Sequence, residues 1–198
     1  MLITGREAAR ILRDTGLTRE RSRRLLAAGF AGEPIRAAGA HLYEQDRIVE
    51  LARRPRIDKA NVVTWCPDGL FVARRDVNVA ASWADRADAV RGPWECGRGT
   101  RVFLQIMIDR AGPFPMVGTV CGFVAVGAEI VDIRATPSGV DARETSMFEL
   151  REAGTWFHSF RDARLPTGPG RPWSIFGWNR NGFDRAWYPL RPGPATRP

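Results

Sequence analysis

Along the first 57 residues apolar positions recur three and four apart, the spacing of helices with one buried face. Thr4 followed by Glu7 is a capping-box pattern, in which the hydroxyl accepts from the Glu7 amide and the carboxylate reaches back. It predicts a helix to about Asp14, with Ala8, Ile11 and Leu12 inward. Thr15-Gly16-Leu17 breaks that helix, and Thr18 is suited to cap a second one, from about Arg19 to Ala28, that stops at Gly29. Ser22, Leu25 and Leu26 face inward, and helical winding puts Glu20, Arg23, Arg24 and Ala27 on the opposite face, flanked by Arg19 and Arg21. Two short extended pieces around Ala37-Ala38-Gly39 then predict a hairpin with Arg36 and His41 near its tip. A third helix begins near Glu44, with Ile48 and Leu51 inward, and ends in Arg53-Arg54-Pro55.

Beyond a short basic linker, Arg53 to Asp58, the pattern changes to blocks. Asn61–Trp65 and Leu70–Ala73 read as strands around the turn sequence Cys66-Pro67-Asp68-Gly69. Asn78 is placed to cap a helix with Ala80, Trp83, Ala87 and Val90 inward, closed by Gly92-Pro93. Arg101–Ile108 is an almost unbroken apolar run, as in a strand buried on both faces. Met116–Val126 is another, with Gly118, Gly122 and Gly127 marking bends or close backbone approach, and Glu129–Arg134 follows it. Thr145–Arg151 and Thr155–Arg161 read as a hairpin, and Trp173–Trp178 as a last strand. The expected fold is α+β: an N-terminal winged helix-turn-helix, residues 1–57, then a larger mixed domain, residues 58–188, with a curved sheet or small barrel. Residues 189–198 read as a disordered, proline-rich tail.

Charge sharpens the picture. Lys59 is the only lysine, so the formal net charge of +8 is carried almost wholly by arginine. Residues 1–57 hold 12 Arg against 7 Asp and Glu, a net of +5 in less than a third of the chain. Guanidinium forks suit phosphates and guanine edges. A helix, a tight turn and a second helix exposing arginines make the arrangement that lays its second helix in a DNA major groove.

Glu7-Ala8-Ala9, a turn, Thr18 to Leu26 with Gly29 after it, then Leu42-Tyr43 with Asp46 opening another helix, resembles the MerR and excisionase-type winged helix. The resemblance covers about the first quarter of the chain. It implies a second helix in the major groove, with Arg19, Arg23 and Arg24 on bases or phosphates. It also implies a wing gripping the backbone through Arg36, with the Tyr43 segment packing that wing onto the body. The chain departs from the family in two places. Arg23-Arg24-Leu25-Leu26 stands where the family has an aromatic run, and Pro55 ends the third helix where MerR regulators continue into a long dimerising helix. Farther on, Gly97-Arg98-Gly99-Thr100-Arg101-Val102 and Val120-Cys121-Gly122-Phe123-Val124-Ala125-Val126-Gly127 faintly resemble PUA-like barrels of the ASCH and EVE type. That likeness implies RNA or a flipped, modified base as ligand.

The remaining chemistry is sparse. Cys66, Cys96 and Cys121 are widely spaced and, with His158, lack the close pairs of a structural zinc site, so each reads as a buried free thiol. Asp109, Glu129 and Asp132 read as solvent-facing ends of strands rather than metal ligands. No G-x-S-x-G elbow or phosphate-binding loop occurs, and no catalytic set, metal or cofactor is expected. Trp65, Trp94, Trp156, Trp173 and Trp178 are candidates for a stacking pocket, against the alternative that they fill the core.

These observations lead to an expected double-stranded DNA-binding protein, a transcriptional regulator with a sensory or assembly C-terminal domain. Its expected DNA contacts are Arg19, Arg21, Arg23, Arg24, Arg36, His41 and Tyr43. A homodimer held by the aromatic-rich domain, a small-molecule effector, no membrane partner and a cytoplasmic, nucleoid-associated location complete the expectation. Two alternatives stay open: a reader of modified nucleic acid, and an enzyme on a small molecule or nucleotide carrying a DNA-targeting N-terminus.

Overall fold

The computed structural model describes residues 1–136, 145–166 and 171–177. Strand β1 (Leu2–Thr4) leads into α1 (Gly5–Leu12), and a 3₁₀ turn joins that helix to α2 (Arg19–Ala27). The capping box forms, with Thr4 N–H donating to Glu7 Oε2 at 2.8 Å and Glu7 N–H donating to Thr4 Oγ1. Strands β2 (Ile35–Ala37) and β3 (Ala40–Glu44) make the expected hairpin. Its two-residue turn, Ala38-Gly39, takes positive φ at both positions, the primed geometry that matches strand twist. Helix α3 (Gln45–Arg53) buries Ile48 and Leu51 as its periodicity requires. The sequence pattern missed β1, which pairs antiparallel with β3 and completes a three-stranded sheet in the order β1-β3-β2.

The rest is built on a five-stranded mixed sheet ordered β7-β6-β5-β4-β8. Its strands are β4 (Leu70–Arg74), β5 (Phe114–Val120), β6 (Phe123–Thr136), β7 (Thr145–Glu152) and β8 (Trp173–Phe176). Among the described strands of this sheet, β4 and β5 pair in parallel and the other neighbours are antiparallel. Strands β7 and β8 stand as separate edges, so the described sheet is open and not a barrel. Alternation along β4 divides the core: Phe71 and Ala73 face one apolar cluster, Leu70 and Val72 the other. Helices α5 (Trp83–Val90) and α6 (Arg98–Ala111) serve the first face. Helix α4 (Lys59–Trp65) and the segment around Phe160 serve the second.

Several expectations need correction. Asn61–Trp65 is helical: the Asp58 carboxylate caps it by accepting from Asn61 N–H at 2.8 Å, and only Val62 is fully buried, which outweighs β-branched propensity. Asn78 holds a turn, and the helix after it starts from Ser82 with Ala80 exposed. Arg101–Ile108 lies inside α6, where Thr100 and Leu104 make the buried i, i+4 pair and Gln105 bonds Asp109 on the outside. Met116–Val126 is two strands, because Cys121 and Gly122 both take positive φ and turn the chain. Strand β6 absorbs Glu129–Arg134, and a register shift between Ile130 and Asp132 lets it pair with β5 and then β7. Thr155–Ser159 forms a 3₁₀ turn, so the partner of β7 is β6 and not this segment. Trp178 and the tail 189–198 lie outside the described residues.

The two parts share one continuous apolar cluster, from Ile3, Leu12, Leu25 and Ile48 through Phe71, Leu104 and Phe123. At the seam, Phe30 meets Phe123 edge to face with ring centroids 5.9 Å apart. Val79 N–H donates to Ala28 O at 2.9 Å. Arg164 crosses from the far side: its Nε donates to Arg54 O at 2.9 Å, and its guanidinium lies 5.6 Å from the Phe123 ring centre. The Arg164 backbone also pairs with the chain on both sides of Arg56, to Pro55 O and from Ile57 N, each at 2.8 Å.

Packing of α5 on the sheet depends on Gly118, where an added Cβ would stand 2.7 Å from both Val90 Cγ1 and Val126 Cγ1. Gly118→Ala is expected to cost about 1–3 kcal/mol through forced repacking. A chemical denaturation curve checks this, and an unchanged midpoint would show that helix and sheet separate freely.

Candidate nucleic-acid interface

Helix α2 carries the exposed arginines because its ends and inner face are fixed. Thr18 Oγ1 accepts from Arg21 N–H, and Ser22 Oγ donates back to Thr18 O at 3.0 Å. Ser22, Leu25 and Leu26 are buried in the core shared with α1 and α3. Arg19, Glu20, Arg23, Arg24 and Ala27 are exposed and Arg21 is half-buried. By helical winding Arg19 and Arg23 share one flank, Arg21 and Arg24 the other, with Glu20 and Ala27 between them.

The first flank opens onto a groove of about 760 Å³ between α2 and the hairpin. Arg6, Arg19, Arg23 and His41 line it, with Tyr43 at its floor. Tyr43 is buried against Gly5, and that burial raises its phenol above the ordinary range. It packs the hairpin onto α1 rather than presenting itself to a partner. Arg36 stands directly opposite His41 in the hairpin register, and both are exposed.

The second flank faces the sheet. Arg24 donates to Asp76 Oδ1 from both Nε and Nη2, at 3.2 and 2.7 Å, and this bond raises its basicity further. The Cys121 thiol, expected in a strand, sits instead in the β5–β6 turn and donates to Arg21 O at 3.4 Å. Arg74 and Arg75, at the end of β4, approach Arg21 and Arg24 around the same recess. Sequence reasoning missed this half, since Arg24 and Asp76 are 52 residues apart and no local pattern links them.

The tryptophans do not converge. Trp94 and Trp173 pack on Phe71 on one face of the sheet, while Trp65 and Trp156 pack on Phe160 on the other. A different concavity, of about 380 Å³, lies between Phe30 and Arg54 on one side and Trp83, Arg86, Phe157 and Arg161 on the other. Trp83 Nε1 and Arg86 Nη1 donate there to Gly127 O and Ala125 O, along the part of β6 that β7 does not cover.

Among the described residues no three His, Cys, Asp or Glu side chains cluster as a metal site would require. Burial pushes the Cys66 and Cys96 thiols up to about 12. Glu129 is buried rather than solvent-facing. Burial alone would raise its carboxyl, but donors from Trp156 Nε1 at 2.8 Å, Arg151 Nε at 2.6 Å and Gly154 N–H at 3.2 Å outweigh it and hold the group below the ordinary glutamate value. No described helix is long and apolar enough to cross a membrane. Comparison with protein-family models, curated proteins and solved structures finds no match to the chain.

Glu129 ties the 3₁₀ segment to β6 as a charged acceptor, which gives a signed pH dependence. A depressed folded-state pKa contributes stability above the unfolded value, and that contribution fades as pH falls through the folded one. Glu129→Gln is therefore expected to lower the melting temperature at neutral pH, with the gap from wild type closing on acidification. A gap that stays constant with pH would assign the effect to shape and not to charge.

Proposed function

We propose that the chain binds double-stranded DNA as a winged helix-turn-helix protein and acts as a transcriptional regulator. In this reading α2 enters the major groove and the β2–β3 hairpin lies along the backbone as the wing. The observation that carries it is the arginine-flanked groove between α2 and the hairpin, in the segment that holds most of the chain's excess positive charge. In this reading Arg19 and Arg23 reach guanine edges or phosphates, and Arg6, Arg36 and His41 neutralise one strand's backbone.

Helix α3 ends at Arg53 and the next helix is the short α4, so pairing of two copies through the remainder of the chain would replace the MerR-type dimer. The concavity between Phe30, Arg54, Trp83 and Arg86 supports a sensory role for the larger part. It is lined by residues from both sides of the seam, so a ligand there would bear on the placement of α2.

Fluorescence anisotropy of the full chain on duplex DNA, measured across salt, tests the reading. Counterion release predicts affinity falling steeply with salt. Arg23→Ala should cost about 1–3 kcal/mol at a preferred site and relax sequence preference, while Arg36→Ala should weaken all duplexes alike. A salt-independent response, or sequence preference lost through Arg36 and not Arg23, would overturn the assignment.

A further inference from the structure

We infer that the recess between α2 and the β5–β6 turn binds a backbone phosphate of the same duplex, on the strand opposite the wing. The larger domain is then a direct second wall of the DNA interface. This rests on the duplex-DNA reading above and extends it to residues far beyond the first 57.

Four arginines from two parts of the chain surround a space of about 100 Å³: Arg21 and Arg24 from the second flank of α2, Arg74 and Arg75 from the end of β4. A water's share of liquid volume is about 30 Å³, so the space has room for one tetrahedral oxyanion. Among the described residues, Arg24 is bonded to Asp76 and also feels the charge of Glu20. Arg75 donates one nitrogen to Pro93 O and holds its guanidinium carbon 4.5 Å from the Trp94 ring centre, while its buried Nε has no acceptor among the described residues. Burial, and then the charge of Arg21, pull the basicity of Arg74 below the ordinary guanidinium range. Like charges held together at this density are relieved by an anion.

The geometry says which anion. A helix lying in a major groove about 12 Å wide has a phosphate backbone on each side. Arg19 and Arg23 turn toward the wing, and Arg21 and Arg24 turn toward this recess on the other flank. One strand then meets the hairpin, and the other meets Arg74 and Arg75. Because the Cys121–Gly122 turn is bonded to α2 through the Cys121 thiol, the recess moves with the helix.

The test uses the full chain and a random-sequence duplex of ~20 base pairs, about two helical turns. Arg74→Gln should weaken binding and make the slope of log affinity against log salt shallower by about 0.9, one phosphate contact, while Arg74→Lys should keep the slope. Cys121→Asp supplies a second route. Position 121 has φ of +53°, which Asp and Asn tolerate, and the new carboxylate would occupy the arginines in place of phosphate. It should lower both affinity and slope, whereas Cys121→Asn should not. If Arg74→Gln does not fold, Cys121→Asp decides. Folded variants that bind with wild-type affinity and slope, while Arg36→Ala still lowers both, overturn this inference and leave the duplex reading standing. Failure of the wild-type chain to bind duplex removes both.

Discussion

The seam at Arg164 is the constraint on which the arrangement depends. A half-buried guanidinium loses hydration, and burial does pull its basicity below the ordinary range. It stays charged because the protein supplies substitutes for water: the Arg54 and Thr15 carbonyl oxygens and the face of Phe123. The same residue's backbone forms a bridge with Arg56. Side chain and main chain therefore hold the end of α3 and the β5–β6 turn in one place. With Phe30 wedged on Phe123, this leaves α2 a single orientation relative to the sheet.

That fixed orientation turns a basic helix into a two-sided surface. An isolated helical hairpin would present Arg19, Arg21, Arg23 and Arg24 as one solvated face, which is the ordinary fate of exposed arginines. Docking against the 74–76 and 121–122 segments separates them, two toward the hairpin and two toward the sheet. The Arg24–Asp76 pair is exposed on both partners and contributes little energy, but it sets the direction of one side chain. The concavity beside Phe30 shares this seam, so any ligand it accepts would act where the two parts meet.

The N-terminal segment was legible because its signals are local. Thr4 with Glu7, Thr18 before the second helix, and apolar spacings of three and four gave the helices, the caps of the first two and most of the buried residues, although Ala9 takes a buried place where Ile11 is only half-buried. The edge strand β1 was not legible, since Leu2-Ile3-Thr4 is too short to show alternation and exists by pairing with β3. In the larger part, continuous apolar runs carry no period that separates a strand from a buried helix, so Arg101–Ile108 reads as a strand although it lies in a helix. A cysteine at a positive φ hid the turn that splits Met116–Val126. The arginines of α2 were identified from winding alone, but their division between two walls depends on Asp76, Arg74 and Cys121, all distant in sequence. The tryptophans invited a pocket, and the sheet between Trp94 and Trp65 separates them.

Hydrogen exchange of the full chain, with and without saturating duplex DNA, tests the central claim most directly, because it reads every backbone segment in one measurement. The account predicts slowed exchange in α2, in the β2–β3 hairpin, and in the 74–76 and 119–123 segments that wall the other flank. Protection confined to other surfaces, with α2 and the hairpin exchanging as in the free protein, would contradict it.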